Sequence, residues 1–284
     1  MVGHAHGYLK PLESYGICSS TRFFVIAEIG LNHGGDIVLA KKIIDSAVRS
    51  GAQAVKFQTY TAEKRVDPSS ALFPILKKCE LSYQAFSELK AYCDRLGIVF
   101  FSTPFDLDSA YFLVELGCDL IKISSSDLTN RQFLKDVSKL NRTVFLSTGM
   151  SNLKEIDDAY TILKEGNGKV VLLHCVSAYP TKTEDANLSA ISTLQNRYPC
   201  LIGQSDHTDD IRVSMMAAAM GAQVLEKHFR VDEQMDCVDA AVSISESQMK
   251  RLTDGIKELD KMLGDGIVDL TPEQEPVTVF RRKS

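Results

Sequence analysis

The sequence predicts a single-domain (β/α)8 barrel, the TIM-barrel fold. Three features predict it: eight short apolar runs, an amphipathic segment after each, and a repeat of about 30 residues with no intervening linker from Phe23 onward. The first strand is Phe23–Ile29, and the helix after it, Ile37–Ser50, carries apolar positions at Val38, Ile43, Ile44 and Val48 and ends near Gly51 as a cap. The second strand, Ala54–Gln58, runs into a long insertion, Thr59–Leu81, the sort of loop that covers a barrel mouth, before a helix over Ser82–Leu96. Val99–Ser102, Leu120–Ile123 and Thr143–Ser147 are the third to fifth strands, followed by helices over Asp108–Leu116, Arg131–Lys139 and Asn152–Glu165. Val170–Cys175, Leu201–Ser205 and Val224–His228 complete the set, with helices over Leu188–Tyr198, Ile211–Met220 and Glu246–Leu263. A doubly wound open sheet is the competing fold, but no GxGxxG opens the first helix, and eight units favour closure. The expected organisation is an extension over residues 1–22 and a barrel over 23–284.

Charge and composition narrow the function. With 284 residues, 44% hydrophobic, the chain fills one large core. Its 32 Lys and Arg against 37 Asp and Glu leave a formal charge of -5, which offers no basic footprint for nucleic acid or an anionic membrane. No apolar run approaches the roughly 20 residues of a bilayer span, and residues 1–20 lack the apolar core of a secretory signal, so the expected location is cytoplasmic. Seven cysteines without a CxxC pair read as reduced thiols, Cys175 and Cys237 among them as small buried hydrophobes. His4 and His6 carry no inference.

In such a barrel the active site gathers at the C-terminal ends of the strands. Polar residues concentrate there: Glu28, Asn32 and His33; Lys56 and Gln58; Ser102 and Thr103; Lys122 with Ser124 to Asp127; Ser147 and Thr148; Ser177 and Tyr179; Ser205 to His207; Glu226 and His228. Lys56 and Gln58 share one face of their strand, and a lysine aimed into a barrel needs a compensating charge. Lys56 and Lys122 among serines and threonines make a cradle for a phosphorylated, carboxylated anion; the alternative is pairing with Glu28 or Glu226, and one lysine can do both. His207 and His228 on adjacent strands are about 5 Å apart, close enough to bind one divalent ion with Glu28 and Asp239 as oxygen partners. That donor set suits manganese better than calcium, with magnesium and zinc open. His174 reads as a core residue, and His33, in an Asn-His-Gly-Gly loop, as either a ligand contact or part of a tight turn.

AEIGLNHGG (Ala27–Gly35), VKFQTY (Val55–Tyr60), FSTPFD (Phe101–Asp106), KISSSDLTN (Lys122–Asn130), LSTGMS (Leu146–Ser151), LHCVSAYPT (Leu173–Thr181), GQSDHT (Gly203–Thr208) and EKHF (Glu226–Phe229) follow one another at the strand ends. Together they resemble the barrel domain of the sialic acid (N-acetylneuraminate) synthase family, with its legionaminic, pseudaminic and spore-coat relatives. The resemblance implies condensation of phosphoenolpyruvate with N-acetylmannosamine or a related N-acetylated amino sugar. It implies that Lys56, Thr103, Lys122, Ser125, Ser147, Ser177 and Ser205 hold phosphoenolpyruvate and that His207 and His228 hold Mn2+. It further implies Glu28 as acid/base and Gln58, Asp127, Tyr179 and Asp239 as sugar contacts, in a homodimer.

The sequence departs from the family pattern in places. Ser124 and Ser126 stand where a proline and glycine are usual, Asp127 where a glutamate is common and Ser177 where asparagine is common. Cys237-Val238-Asp239-Ala240 replaces Gly-Pro-Asp-His. The family usually continues into a small antifreeze-like domain that lends an arginine to the partner's sugar site; the sequence through Phe280–Ser284 contains no counterpart, which leaves a fragment, a split gene or a barrel-only variant open. Rival expectations are a synthase of a 3-deoxy sugar acid phosphate, disfavoured because only one cationic pocket is legible, and a non-catalytic barrel binding a sugar or a partner.

Overall fold

The computed structural model describes residues 12–17, 19 and 21–282, so that His4, His6 and Cys18 lie outside the described residues. Eight parallel strands close into a barrel in sequence order, β1 pairing with both β2 and β8. They are β1 (Phe24–Gly30), β2 (Ala54–Thr59), β3 (Val99–Pro104), β4 (Leu120–Ile123), β5 (Thr143–Ser147), β6 (Val170–Cys175), β7 (Leu201–Asp206) and β8 (Val224–His228). The crossover helices are α1 (Ile37–Arg49), α4 (Tyr83–Leu96), α5 (Leu107–Glu115), α6 (Arg131–Ser138), α7 (Leu153–Lys164), α8 (Ser189–Arg197), α9 (Arg212–Ala219) and α10 (Glu246–Met262). Every strand and crossover helix ends within two residues of its expected position.

Two expectations need correction. The insertion after β2 is no plain loop: it folds into α2 (Ala62–Arg65) and α3 (Phe73–Cys79), anchored by a small apolar cluster of Leu31, Tyr60, Ala62, Leu76 and Cys79. In α1 the buried stripe is Ala40, Ile43, Ile44 and Ala47, an i, i+3, i+4, i+7 pattern that leaves Val38 out and exposed. Asp36 caps that helix, its carboxylate accepting from the Val38 and Leu39 amides.

Alternation along the strands sorts the core into two shells. Val25, Ala27 and Ile29 face the helices, while Phe24, Ile26, Ala54, Phe101, Leu120, Phe145, Val171, Leu173, Leu201 and Val224 fill the barrel. Gly203 belongs to this inner layer because a Cβ there would meet the Val224 carbonyl oxygen at 2.4 Å and Leu173 Cδ2 at 2.6 Å. Leu12, Tyr15 and Ile17 pack against the lower layer and close the N-terminal end. There the Tyr15 hydroxyl accepts from the Leu201 amide, and the Thr143 hydroxyl donates to the Tyr15 carbonyl. Two residues beyond the apolar layer, the same inward rows become Glu28, Lys56, Thr103, Lys122, Ser147, Cys175 and Ser205. The fold thus turns a hydrophobic plug into a polar floor at the strand ends. Among the described residues, no helix is long and apolar enough to cross a membrane.

Candidate active site

Strand register sets the order of charges. Glu28 of β1 lies opposite Lys56 of β2 and His228 of β8, while Ser205 of β7 lies opposite Glu226. Lys56 Nζ is 2.8 Å from Glu28 Oε2, 3.9 Å from Glu226 Oε2, and donates to Thr103 Oγ1 at 3.0 Å. Lys122 Nζ is 3.5 Å from Glu226 Oε1, which also accepts from Ser205 Oγ at 2.8 Å. All of these groups are buried. The expected anion cradle and the expected carboxylate pairing are therefore the same structure, with Glu226 shared between the lysines.

Two carboxylates buried in one site cannot be equally acidic. Burial pushes Glu226 up, but Lys122 and Lys56 outweigh it and hold the group at about 2. For Glu28 burial prevails over Lys56, and the negative charge of Glu226 adds to it, so its carboxyl lies above the ordinary carboxylate range. Glu226 is the fixed anion, and Glu28 is the carboxyl that takes up a proton more readily. Burial also lowers Lys122 against the pull of Glu226, whereas for Lys56 the two glutamates overcome burial and raise it.

The imidazoles of His207 and His228 lie 5.4 Å apart between ring centroids, and the half-exposed Tyr179 ring packs 4.2 Å from His207. His207 Nδ1 bonds to the Val176 carbonyl at 2.9 Å, which leaves Nε2 as the ring nitrogen open to a ligand. His228 Nδ1 is buried without a hydrogen-bond partner, 3.4 Å from Asp239 Oδ2. Burial works against ionisation of Asp239, yet His228 holds it below the ordinary aspartate range. Among the described residues no group of three or more His, Cys, Asp or Glu is arranged as a ready metal cage. The donor chemistry still fits a divalent ion: two imidazoles, one with an orphaned buried nitrogen, and a carboxylate beside them.

Asn32 ties this half of the site together. Its amide donates to the Phe229 carbonyl and to Ser243 Oγ, both at 2.9 Å, and its carbonyl accepts from the Asp239 backbone amide at 3.0 Å. The loop carrying Asp239 is thereby fixed against β1.

These groups line one cavity of about 510 Å3, within the range of small-molecule sites. Glu28, Lys56, Gln58, Thr103, Lys122, Ser125, Ser147, Ser177, Tyr179, Ser205, His207, His228 and Asp239 all border it. Asp127 does not: it is half-buried beside the cavity, on the 3₁₀ turn after β4, while Ser124, Ser125 and Ser126 take the wall position. Cys175 borders the cavity 3.8 Å from His207 Nδ1, whereas Cys237 stays outside the lining. The one cationic pocket expected gains a further cation, because α2 brings Arg65 into its wall, the guanidinium 3.7 Å from the centre of the Phe105 ring. Nothing in the spacing of the insertion signals that inward turn.

His174 is a buried support, its Nε2 bonded to the Ala186 carbonyl. His33 is also structural: it is 1% exposed, packs on Phe57, and accepts from the Gly35 amide. Burial lowers its pKa from 6.5 to about 4. The unfolded chain therefore takes up this proton first as pH falls. The neutral ring contributes fully above about pH 6.5, and that contribution of up to about 3 kcal/mol drains away towards pH 4. Unfolding free energy measured from pH 7 to 4 is expected to fall less steeply for His33→Asn than for the wild type, and parallel slopes would show that His33 is not held neutral.

A closed parallel barrel whose strand ends gather buried lysines, carboxylates and paired imidazoles around one cavity has the layout of a barrel enzyme. The model of the NeuB family matches residues 43–268. The chain belongs to that family, the sialic acid synthases and their relatives. It is 42% identical, over 92% of its length and 78% of the relative's, to an uncharacterised protein of Methanocaldococcus jannaschii. With the N,N'-diacetyllegionaminic acid synthase of Campylobacter jejuni it shares 38% identity over 91% of this chain and 83% of the other. The solved structure of an N-acetylneuraminic acid synthetase from Leptospira borgpetersenii, in complex with citrate, superposes with a TM-score of 0.88 at 37% identity, covering 91% of both chains.

Proposed function

We propose that this enzyme condenses phosphoenolpyruvate with an N-acetylated hexosamine in its open-chain form, giving a sialic-type acid and phosphate. The observation that carries the reading is the buried pair Lys56 and Lys122, linked through Glu226, beside the Ser147 hydroxyl, which is buried without a partner. A buried hydroxyl in that state has bonding capacity left for a ligand or a water. Phosphoenolpyruvate fits there with its phosphate and carboxylate on Lys56, Thr103, Lys122, Ser125, Ser147, Ser177 and Ser205. The acceptor lies against Gln58, Tyr179 and Asp239; Asp127, outside the cavity lining, makes no contact with it in this reading.

C3 of phosphoenolpyruvate bonds to the aldehyde carbon, water adds at C2, and the C2–O bond to phosphate breaks. Glu28, with its raised pKa, moves the proton at the aldehyde oxygen and at the incoming water. His207 and His228 would hold a divalent ion, with Mn2+ the expected one, beside Asp239; when bound it supplies charge to stabilise the aldehyde oxygen. Holding both reactants on rigid strand ends supplies orientation. The catalytic unit is residues 23–284, with residues 1–22 preceding it; a cytoplasmic homodimer accompanies this reading.

Gly149 offers a separate check on the phosphoenolpyruvate end. Its amide donates to Ser125 Oγ, and a Cβ there would lie 2.2 Å from Ser177 Oγ and 2.9 Å from Ser125 Oγ. Gly149→Ala is expected to raise the KM for phosphoenolpyruvate roughly 5- to 30-fold, the size of about 1–2 kcal/mol of overpacking, with little change for the acceptor. Function itself is tested by product mass from N-acetylated hexosamines incubated with phosphoenolpyruvate and Mn2+, with arabinose 5-phosphate as the contrast. A product from the hexosamines supports the reading; turnover only with the phosphorylated pentose would overturn it.

A further inference from the structure

A second, much smaller cavity lies behind the first. Between β6 and β7, on the helix side of the barrel wall, a space of about 10 Å3 is bordered by His174, Val176, Thr181, Ala186, Gln204 and His207. Alternation along the strands makes it polar. His174 and Gln204 lie opposite each other, next in their outward rows after Leu172 and Ile202 of the helix-facing apolar shell. Gln204 is 3% exposed, and its Oε1 is buried without a hydrogen-bond partner among the described residues. His174 places one ring nitrogen, Nε2, on the Ala186 carbonyl at 2.9 Å. The volume matches about one water, and a polar space of this size holds one where an apolar space stays dry.

The same wall aims His207. Its Nδ1 bonds to the Val176 carbonyl at 2.9 Å, its own carbonyl accepts from the Thr181 amide at 2.9 Å, and Thr181 Oγ1 donates to the Val176 carbonyl at 3.1 Å. The Val176 peptide thus sets the imidazole and also borders the small cavity. We propose that this cavity binds one ordered water that donates to Gln204 Oε1 and bonds His174, and that Gln204 is through it a positioning residue for His207. With the water in place the Val176 peptide cannot shift towards the helix layer, and the imidazole keeps Nε2 turned to the catalytic cavity. The proposal rests on the reading of His207 as a metal ligand. Groups that orient a ligating imidazole from behind control its affinity for the ion.

Gln204→Met is the discriminating variant, because it keeps an unbranched side chain of similar length and removes the acceptor. Mn2+ binding to the full chain without substrates, read from the electron paramagnetic resonance signal of the free ion, is expected to weaken about five- to tenfold, somewhat below the loss for a direct partner of a ligand. The KM for phosphoenolpyruvate is expected to stay unchanged. Stability adds a sign: removing an oxygen that a water satisfies is expected to lower Tm by roughly 1 to 5 °C, whereas removing one buried dry would raise it. A crystal structure of the wild type is expected to show the water between Gln204 and His174, and one of the variant to lack it. A raised Tm, no water in the wild type, unchanged Mn2+ affinity, or equal weakening for Mn2+ and phosphoenolpyruvate would overturn this proposal alone. Failure of the wild type to bind Mn2+ would overturn the metal reading of His207 and this proposal with it.

Discussion

Replacing Lys122 by alanine is expected to raise the KM for phosphoenolpyruvate roughly 30- to 1,000-fold, the equivalent of about 2–4 kcal/mol for truncating a buried charged contact, while the acceptor KM moves little. Lys122 is the sharper test of the two lysines. Lys56 is neutralised by Glu28 at 2.8 Å, whereas the nearest carboxylate to Lys122 is Glu226 at 3.5 Å, already engaged by Ser205. More of the Lys122 charge is therefore free to meet a ligand. The substitution also removes the strongest opposition to the protonation of Glu226, so the binding of phosphoenolpyruvate should become more sensitive to acid. Initial rates against each substrate in turn give the answer; equal loss for both would contradict an anion-binding role.

Lys227→Ala is expected to cost about 3–5 kcal/mol of folding stability, lowering Tm by roughly 6 to 20 °C. Lys227 is fully buried on the outer face of β8, its Nζ 3.0 Å from Asp206 Oδ2 and bonded to Thr208 Oγ1 at 3.1 Å. Asp206 in turn accepts from Ser214 Oγ at 2.6 Å and from the Thr208 amide at 2.9 Å. Removal of the lysine strands a buried carboxylate, which costs far more than the pair contributes when intact. The double substitution Lys227→Met with Asp206→Leu should for that reason recover part of the loss. Because residues 206–208 carry His207, the single variant should lose activity as well. Thermal unfolding of the three proteins side by side distinguishes this from a surface contact, whose removal would shift Tm by a degree or two.

The barrel was legible because strand and helix periods are long-range and redundant: eight repeats leave little freedom in where each element starts. Parity along a strand carried the site equally well, since placing Phe24 and Ile26 in the core places Glu28 at the mouth. What the sequence could not convey depends on short elements. The α2 helix is four residues long and α3 is seven, too short for a hydrophobic period to declare a face, so Arg65 at the cavity wall emerges only in three dimensions. Asp127 illustrates the converse. It follows Lys122 closely in sequence, but the 3₁₀ turn at Ser125–Asp127 presents the serines to the cavity and turns the acid aside. His33, between Asn32 and two glycines, resembles a ligand contact by composition; its burial against Phe57 is a tertiary fact.

Phosphate is expected to leave by C–O cleavage after C3 of phosphoenolpyruvate has bonded to an aldehyde. The most direct measurement is turnover in 18O-enriched water with an N-acetylated hexosamine, analysing the released phosphate by mass. Water attacks C2, so the bridging oxygen departs with phosphorus, and the phosphate is expected to carry no label and to form only when the acceptor is present. Labelled phosphate, or unlabelled phosphate formed without the acceptor, would contradict the account.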